Sequence, residues 1–202
     1  MPLQEKLKNI QQYEKNIKSY TLRLVKNELG KEKQEELRSI WQKNSKPAPV
    51  EGGDEEKYET AYGNYLQTYL SARKFMEKHQ GDKGVEKFNR AAISSMKKTG
   101  TTPSNVVAKT VMPIRRKASF QTIARELAYR LQVFSPFSVD QLDDDQMVVT
   151  LTPCKIASSS HEFCNYACQS VIRVWLESQF GLNMVSTQMG KNCTIKFMPF
   201  NT

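Results

Sequence analysis

The chain lacks the features that mark several large classes of proteins. No apolar run approaches the ~20 residues that span a bilayer, and the first residues lack the apolar core of a secretory signal. There is no glycine-rich phosphate-binding loop, no G-x-G-x-x-G after a strand and no H-E-x-x-H zinc motif. These absences favour a cytoplasmic protein without a recognisable nucleotide-binding or metalloprotease signature.

Cysteine and histidine are scarce, with 4 and 2 residues in a chain of 202. The cysteines are spaced C-x9-C-x3-C-x24-C, which matches no standard disulfide or zinc-ribbon framework. Thiols are kept reduced in the cytoplasm. We therefore expect thiols that are free, metal-bound or catalytic.

Acidic residues are few where basic residues concentrate. The net charge is +9, and residues 73–117 carry 12 basic and 3 acidic side chains, whereas residues 118–202 carry 6 and 7. This basic region could contact nucleic-acid phosphates or an acidic partner, although no RNA-binding signature accompanies it. The side chains concerned are Lys97, Lys98, Lys109, Arg115, Arg116 and Lys117.

Apolar residues at steps of three and four predict helices over residues 3–29 and 31–42. A stretch rich in proline, glycine and acidic residues follows, which is typical of a linker. We expect residues 1–45 to form a helical extension, 46–57 a linker and 58–202 one domain. The extension would dock on its own domain, on a partner or on a second copy of the chain.

The rest of the chain changes from helical to strand periodicity. Two helices separated near the sequence KHQGDKG and a helical stripe around residues 120–134 precede two strands at 137–142 and 146–152. A helix and a second hairpin, turning at 190–192, then complete the order α-β-β-α-β-β. This order predicts an α+β fold with a mainly antiparallel four-stranded sheet.

The segment PCKIASSSHEFCNYACQSVIRVW, residues 153–175, holds three of the four cysteines. Ser159 and Glu162 have the spacing of a helix-capping box. Five residues then form one apolar stripe at helical spacing, which favours thiols that simply pack in the core. The stripe consists of Cys164, Ala167, Cys168, Val171 and Trp175.

Two other interpretations of the cysteines stay open. Cys164 and Cys168 lie one helical turn apart and could bind zinc if Cys154 or Cys193 completed the set, with His161 or Glu162 as a further ligand. Alternatively, Cys164 or Cys168 could be a nucleophile assisted by His161. The catalytic interpretation lacks an orienting acid and an identifiable oxyanion hole.

The C-terminal half resembles the 4-vinyl reductase domain, which is related in fold to the TRAPP vesicle-tethering subunits, and is similar to the L-2-amino-thiazoline-4-carboxylic acid hydrolase family. The likeness covers roughly residues 60–200. It rests on SVDQLDDDQMVVTLTPCKIA and on EFCNYACQSVIRVWLESQFGLNMVSTQMGKNCTIKF. Ser186 stands where many relatives carry a further cysteine.

The resemblance implies a pocket between helices and sheet for a small apolar ligand, in a domain that tends to dimerise. It also implies that zinc could bind to Cys154, Cys164, Cys168 and Cys193. The leading hypothesis is a non-enzymatic ligand-binding or assembly module. The alternatives are a cysteine-dependent hydrolase of a small heterocyclic or amide substrate and a nucleic-acid-associated protein. The expected pocket residues are Leu127, Leu131, Val171, Trp175 and Phe197.

Overall fold

A computed structural model describes residues 1–99, 121–122, 125, 130–143, 145–180, 182–189 and 191–199. Helices come first and a four-stranded antiparallel sheet follows, so the predicted α+β class is confirmed. The chain divides into two compact units, Met1–Ser95 and Met96–Thr202. None of the described helices is both long and apolar enough to cross a membrane.

Three helices begin the chain. They are α1 (Leu3–Leu29), α2 (Lys31–Asn44) and α3 (Asp54–Thr99). Gly30 separates α1 from α2 with φ 91°, a value that side-chain-bearing residues rarely adopt. The sequence therefore predicts both of the first helices and the residue at which α1 stops.

Aromatic side chains hold the first unit together. The ring centroids of Tyr13 and Tyr65 lie 6.4 Å apart, and those of Tyr20 and Phe88 lie 5.8 Å apart. Phe88 also meets Tyr69 edge-on, at 5.2 Å. Such contacts add to the free energy gained by burying the rings.

Hydrogen bonds join α3 to α2 and to the start of segment 46–57. Trp41 of α2 donates from Nε1 to Ser71 Oγ of α3 at 3.0 Å, and the Asn64 side chain exchanges two hydrogen bonds of 2.9 Å with the backbone of Lys46. The helices at 58–95 thus pack with residues 1–45, and the first unit ends at Ser95. Segment 46–57 joins two helices of this unit, because the shared aromatic core links both sides of it.

Glycine interrupts α3 as the sequence predicts. Gly81 has φ 58° and ψ −144°, a conformation open essentially to glycine alone, and divides α3 into two helical segments. The chain then passes so close to itself that a Cβ on Gly84 would lie 2.2 Å from the carbonyl oxygen of Met76. Two glycines therefore fix the break in α3.

The second unit contains the sheet. Its strands are β1 (Phe137–Leu142), β2 (Met147–Leu151), β3 (Leu182–Met189) and β4 (Asn192–Pro199), in the spatial order β1-β2-β4-β3. Between the two hairpins lie a short helix, α4 (Lys155–Ser159), and a longer helical segment, α5 (161–180). Both hairpins agree with the alternation in the sequence.

Register gives the sheet one buried and one solvated face. Val149 of β2 lies opposite Ile195 of β4, and both are buried. The next row pairs Thr150 with Thr194, on the opposite face. One packed and one wet face are typical of antiparallel sheets. The buried face is the floor of the site described below.

Helix α5 changes its winding along its length. It begins as an α-helical turn, His161–Phe163, continues as a π-helix, Cys164–Ile172, and returns to α-helix over Arg173–Phe180. Its cap is Ser160, whose Oγ accepts from the amide of Phe163 at 3.0 Å. The predicted capping box on Ser159 and Glu162 is therefore wrong by one residue, because Ser159 ends α4 instead.

Candidate functional site

A small cavity lies between the buried face of the sheet and the helices α4 and α5. A water-sized sphere can be centred within about 20 Å³ of it, roughly the space that one buried water requires. All four cysteines of the chain line this cavity, together with seven apolar residues. Cysteines that lie far apart in sequence therefore share one site.

Sheet register brings two of the four thiols together. Cys193 of β4 lies opposite Leu151 of β2 on the buried face. Three residues after Leu151, the amide of Cys154 donates to the carbonyl of Lys191 in the β3–β4 turn at 2.6 Å. This bond ties the end of β2 to the start of β4, so Cys154 and Cys193 meet at one end of the cavity.

The π-helical segment supplies the other two thiols. Its i→i+5 hydrogen bonds include the amide of Arg173 to the carbonyl of Cys168. Cys164, Cys168 and Ile172, spaced by four, all line the cavity. Residues four apart share one face of this segment, as they would in an α-helix, so both cysteines and Ile172 reach the site.

The thiols differ in their electrostatics. A hydrogen bond with Cys168 lowers the pKa of the Cys164 thiol to about 7. The same bond, with burial and the neighbouring thiols, raises the pKa of Cys168 well above its ordinary value. Burial raises the pKa of Cys193 to about 11, and burial also raises the pKa of Cys154 despite the opposing effect of nearby amides. Only Cys164 is therefore partly ionised at neutral pH.

The predicted pocket residues have mixed outcomes. Leu131 and Phe197 line the cavity, whereas Val171 is buried without being among the lining residues. Leu127 and the side chain of Trp175 lie outside the described residues. Sequence reasoning missed five lining residues, namely Leu151, Ile156, Ile172, Met184 and Ile195. Alternation along β3 was the available signal for Met184. No pattern in the sequence predicts the π-helix that places Ile172 at the cavity.

The four predicted zinc ligands line one cavity but are not arranged as a metal site. All four cysteines and both histidines belong to the described residues, and no group of three or more His, Cys, Asp or Glu among those residues is arranged to hold a metal ion. Thiolates are good zinc ligands, so Cys154, Cys164, Cys168 and Cys193 fit zinc by donor type and not by arrangement.

The hydrolase interpretation needs a base beside the nucleophile. His161 is exposed, whereas Cys164 is buried. The described residues that line the cavity include no His, Asp or Glu. A cysteine hydrolase activates its thiol through such a partner and orients that partner with a third group. The cavity lining described here lacks the base that the hydrolase interpretation assigns to His161.

The structure describes none of the six basic side chains that the sequence predicts to contact phosphates or an acidic partner. Lys109, Arg115, Arg116 and Lys117 lie outside the described residues, as do the side chains of Lys97 and Lys98. Earlier in the basic region, several cations pair with carboxylates of their own unit. Arg73 meets Glu77 at 2.9 Å and Arg90 meets Glu86 at 2.5 Å.

The side chain of Asp143 closes the chain reversal between β1 and β2. Asp143 Oδ1 accepts from the amides of Asp145 and Gln146 at 2.9 and 2.8 Å. These bonds lower the pKa of the Asp143 carboxyl. Asp143 thus stabilises the connection between β1 and β2.

The site is defined by the convergence of four thiols with an apolar wall. Its thiols come from the end of β2, from α5 and from β4. No protein-family model and no curated protein sequence matches this chain.

Proposed function

We propose that the chain is a non-enzymatic binding module whose thiol-lined cavity takes a small, uncharged, apolar ligand. One observation carries the proposal: the described residues around the cavity are apolar side chains and cysteines without a charged carboxylate, amine or imidazole. Pockets for small molecules are mostly apolar, with few polar groups. The resemblance to 4-vinyl reductase-like domains is a second, weaker reason for the same proposal.

Cavity volume limits the ligand. Space for about one water-sized sphere suits a ligand of a few atoms, or the tip of a longer apolar molecule that enters from outside. A drug-sized ligand normally fills a pocket of roughly 300 Å³ or more. Leu131 and Met184 are flexible side chains that would have to move for such a ligand. The proposal therefore concerns small ligands first.

Xenon is a suitable probe, because a single apolar atom suits a cavity of this size, and two neighbouring residues of β3 provide matched variants. Met184 is buried and lines the cavity, whereas Val185 is 48% exposed on the other face of the sheet. In a xenon NMR titration, xenon should bind saturably to the wild-type chain and to Val185→Trp. Met184→Trp fills the cavity and should abolish binding while thermal melting reports an intact fold. Absence of saturable binding to the wild-type chain would refute the proposal, as would unchanged binding to folded Met184→Trp.

An assembly role for the helical unit is the second part of the proposal. The basic excess of the first part of the chain supports docking of an acidic partner, whereas the resemblance to domains that tend to dimerise supports a second copy. Native mass spectrometry across a range of protein concentrations tests the second copy and reports any bound zinc in the same spectrum. A concentration-dependent dimer is expected. A monomeric mass at every concentration would remove self-association from the proposal and leave the acidic partner.

The cysteine hydrolase and the nucleic-acid protein remain the alternatives. The pKa of about 7 for the Cys164 thiol is the observation that favours the hydrolase. Turnover of a small amide by the wild-type chain, lost in Cys164→Ser, would replace the binding module with the hydrolase. Salt-dependent binding of a mixed oligonucleotide would favour the nucleic-acid protein.

A further inference from the structure

Cys164 and Cys168 form a dithiol pair within the wall of the cavity. They extend from the same π-helical segment, four residues apart, and line the same space. Cys164 is 8% exposed and Cys168 is half-buried. Cys154 and Cys193 line the cavity from the sheet side. Cys164 and Cys168 are therefore neighbours on one helical segment, while Cys154 and Cys193 lie across the cavity from them.

Cavity size restricts which reagents reach this pair. The space admits a water-sized molecule, and its described walls carry no carboxylate, amine or imidazole. Hydrogen peroxide is small and uncharged, so it suits such a space better than a bulky or charged oxidant. We propose that Cys164 and Cys168 are an oxidation site for hydrogen peroxide, in which Cys164 reacts first and Cys168 closes an intrahelical disulfide.

The chemistry proceeds in two balanced steps. The Cys164 thiolate attacks one peroxide oxygen, the O–O bond breaks, and the products are a sulfenic acid on Cys164 and hydroxide, which takes a proton to become water. The Cys168 sulfur then attacks the Cys164 sulfur as its thiol proton leaves, and the sulfenic oxygen departs as a second water. Two thiols lose two electrons in total, and one peroxide is reduced to two waters.

Differences among the four thiols assign these roles. The thiolate is the reactive form, and Cys164 is the thiol whose pKa is lowered, by the hydrogen bond from Cys168. The pKa values of Cys154, Cys168 and Cys193 are all raised. Redox-sensitive cysteines combine a low pKa with a neighbouring thiol that resolves the sulfenic acid. Cys168 is that neighbour because it lies four residues further along the same π-helical segment and lines the same cavity.

Helix geometry predicts that the disulfide is easily reversed. Residues four apart on a helix have Cβ atoms about 5–6 Å apart, whereas a disulfide requires about 3.5–4.5 Å. Bond formation must draw the two Cβ atoms closer and distort the π-helical segment. Strained disulfides are reduced more readily than relaxed structural ones. Reduced glutathione should therefore restore both thiols.

Trypsin separates the four cysteines conveniently for a test. Cleavage after Lys155 and Arg173 yields one peptide with both Cys164 and Cys168, while Cys154 and Cys193 fall in two others. The reduced full-length chain is treated with one equivalent of hydrogen peroxide, blocked with N-ethylmaleimide and digested. The peptide 156–173 should lose two hydrogens and escape labelling. Its loss of labelling should be roughly tenfold greater than that of either of the other two cysteine peptides. Glutathione should reverse the change.

Variants distinguish the roles of the two thiols. In Cys168→Ser, Cys164 should accumulate as a sulfenic acid that dimedone traps, whereas Cys193→Ser should still form the disulfide. Wild-type chain in urea provides the reference rate for unfolded thiols and needs no variant. The proposal is overturned if the native chain oxidises no faster than the unfolded one, or if Cys164 pairs with Cys193. It is also overturned if native mass spectrometry finds zinc that must be removed before any thiol reacts.

Discussion

Removal of the Cys168 thiol should shift the ionisation of Cys164 to higher pH. The hydrogen bond from Cys168 is the main cause that lowers the Cys164 pKa to about 7, so Cys168→Ala should return it toward the ordinary cysteine value of about 8.5. At pH 7 the thiolate fraction would fall from about half to about 3%. Because a thiolate of higher pKa is intrinsically about fivefold more nucleophilic, the net labelling rate at pH 7 should fall only by roughly a factor of three.

The midpoint of the pH profile is therefore the better measurement. Iodoacetamide labelling of Cys164 is followed by mass spectrometry of the peptide 156–173 from pH 5 to pH 10. Burial slows labelling at every pH, but the midpoint reports ionisation. Cys168→Ser is the matched control, since its hydroxyl still donates and should keep the midpoint closer to 7. An unchanged midpoint in Cys168→Ala, or equal shifts in the alanine and serine variants, would refute the assignment of the hydrogen bond.

Three further predictions concern stability. Gly84→Ala places a methyl group 2.2 Å from the Met76 carbonyl oxygen. The substitution should destabilise the first unit by about 1–3 kcal/mol in urea denaturation. An unchanged urea midpoint would contradict the close approach. Trp41→Phe removes the 3.0 Å bond to Ser71 and should cost about 1 kcal/mol, with no loss expected if water replaces it fully. Asp143→Ala should lower the melting temperature at pH 7. The difference in melting temperature from the wild-type chain should shrink as the pH falls through the lowered folded-state pKa of Asp143, because the carboxylate stabilises the turn only while it is ionised. A difference that is constant with pH would show that ionisation plays no part.

Local patterns were sufficient for the elements of the fold. Strand alternation predicts 137–142 and 146–152, close to Phe137–Leu142 and Met147–Leu151 in the structure. Glycine predicts the break between α1 and α2, because few other residues adopt φ 91°. These features depend on a few consecutive residues, which is why one sequence reveals them.

The site depends on contacts that no local pattern encodes. Three serines in a row offer several caps, and only the end of α4 at Ser159 leaves Ser160 to start α5. The α-helical stripe through Cys164 does not predict a π-helix, which depends on how α5 packs and which brings Ile172 to the cavity. Likewise, Cys154 meets Cys193 only through sheet register.

A crystal structure of the reduced chain under xenon pressure would test the shared cavity most directly. Apolar cavities of this kind bind xenon without polar contacts. One xenon atom is expected between Cys164, Cys168, Met184 and Phe197, with the four cysteine sulfurs facing the same space. A space filled by side chains without xenon, or four sulfurs in separate parts of the unit, would contradict the shared cavity.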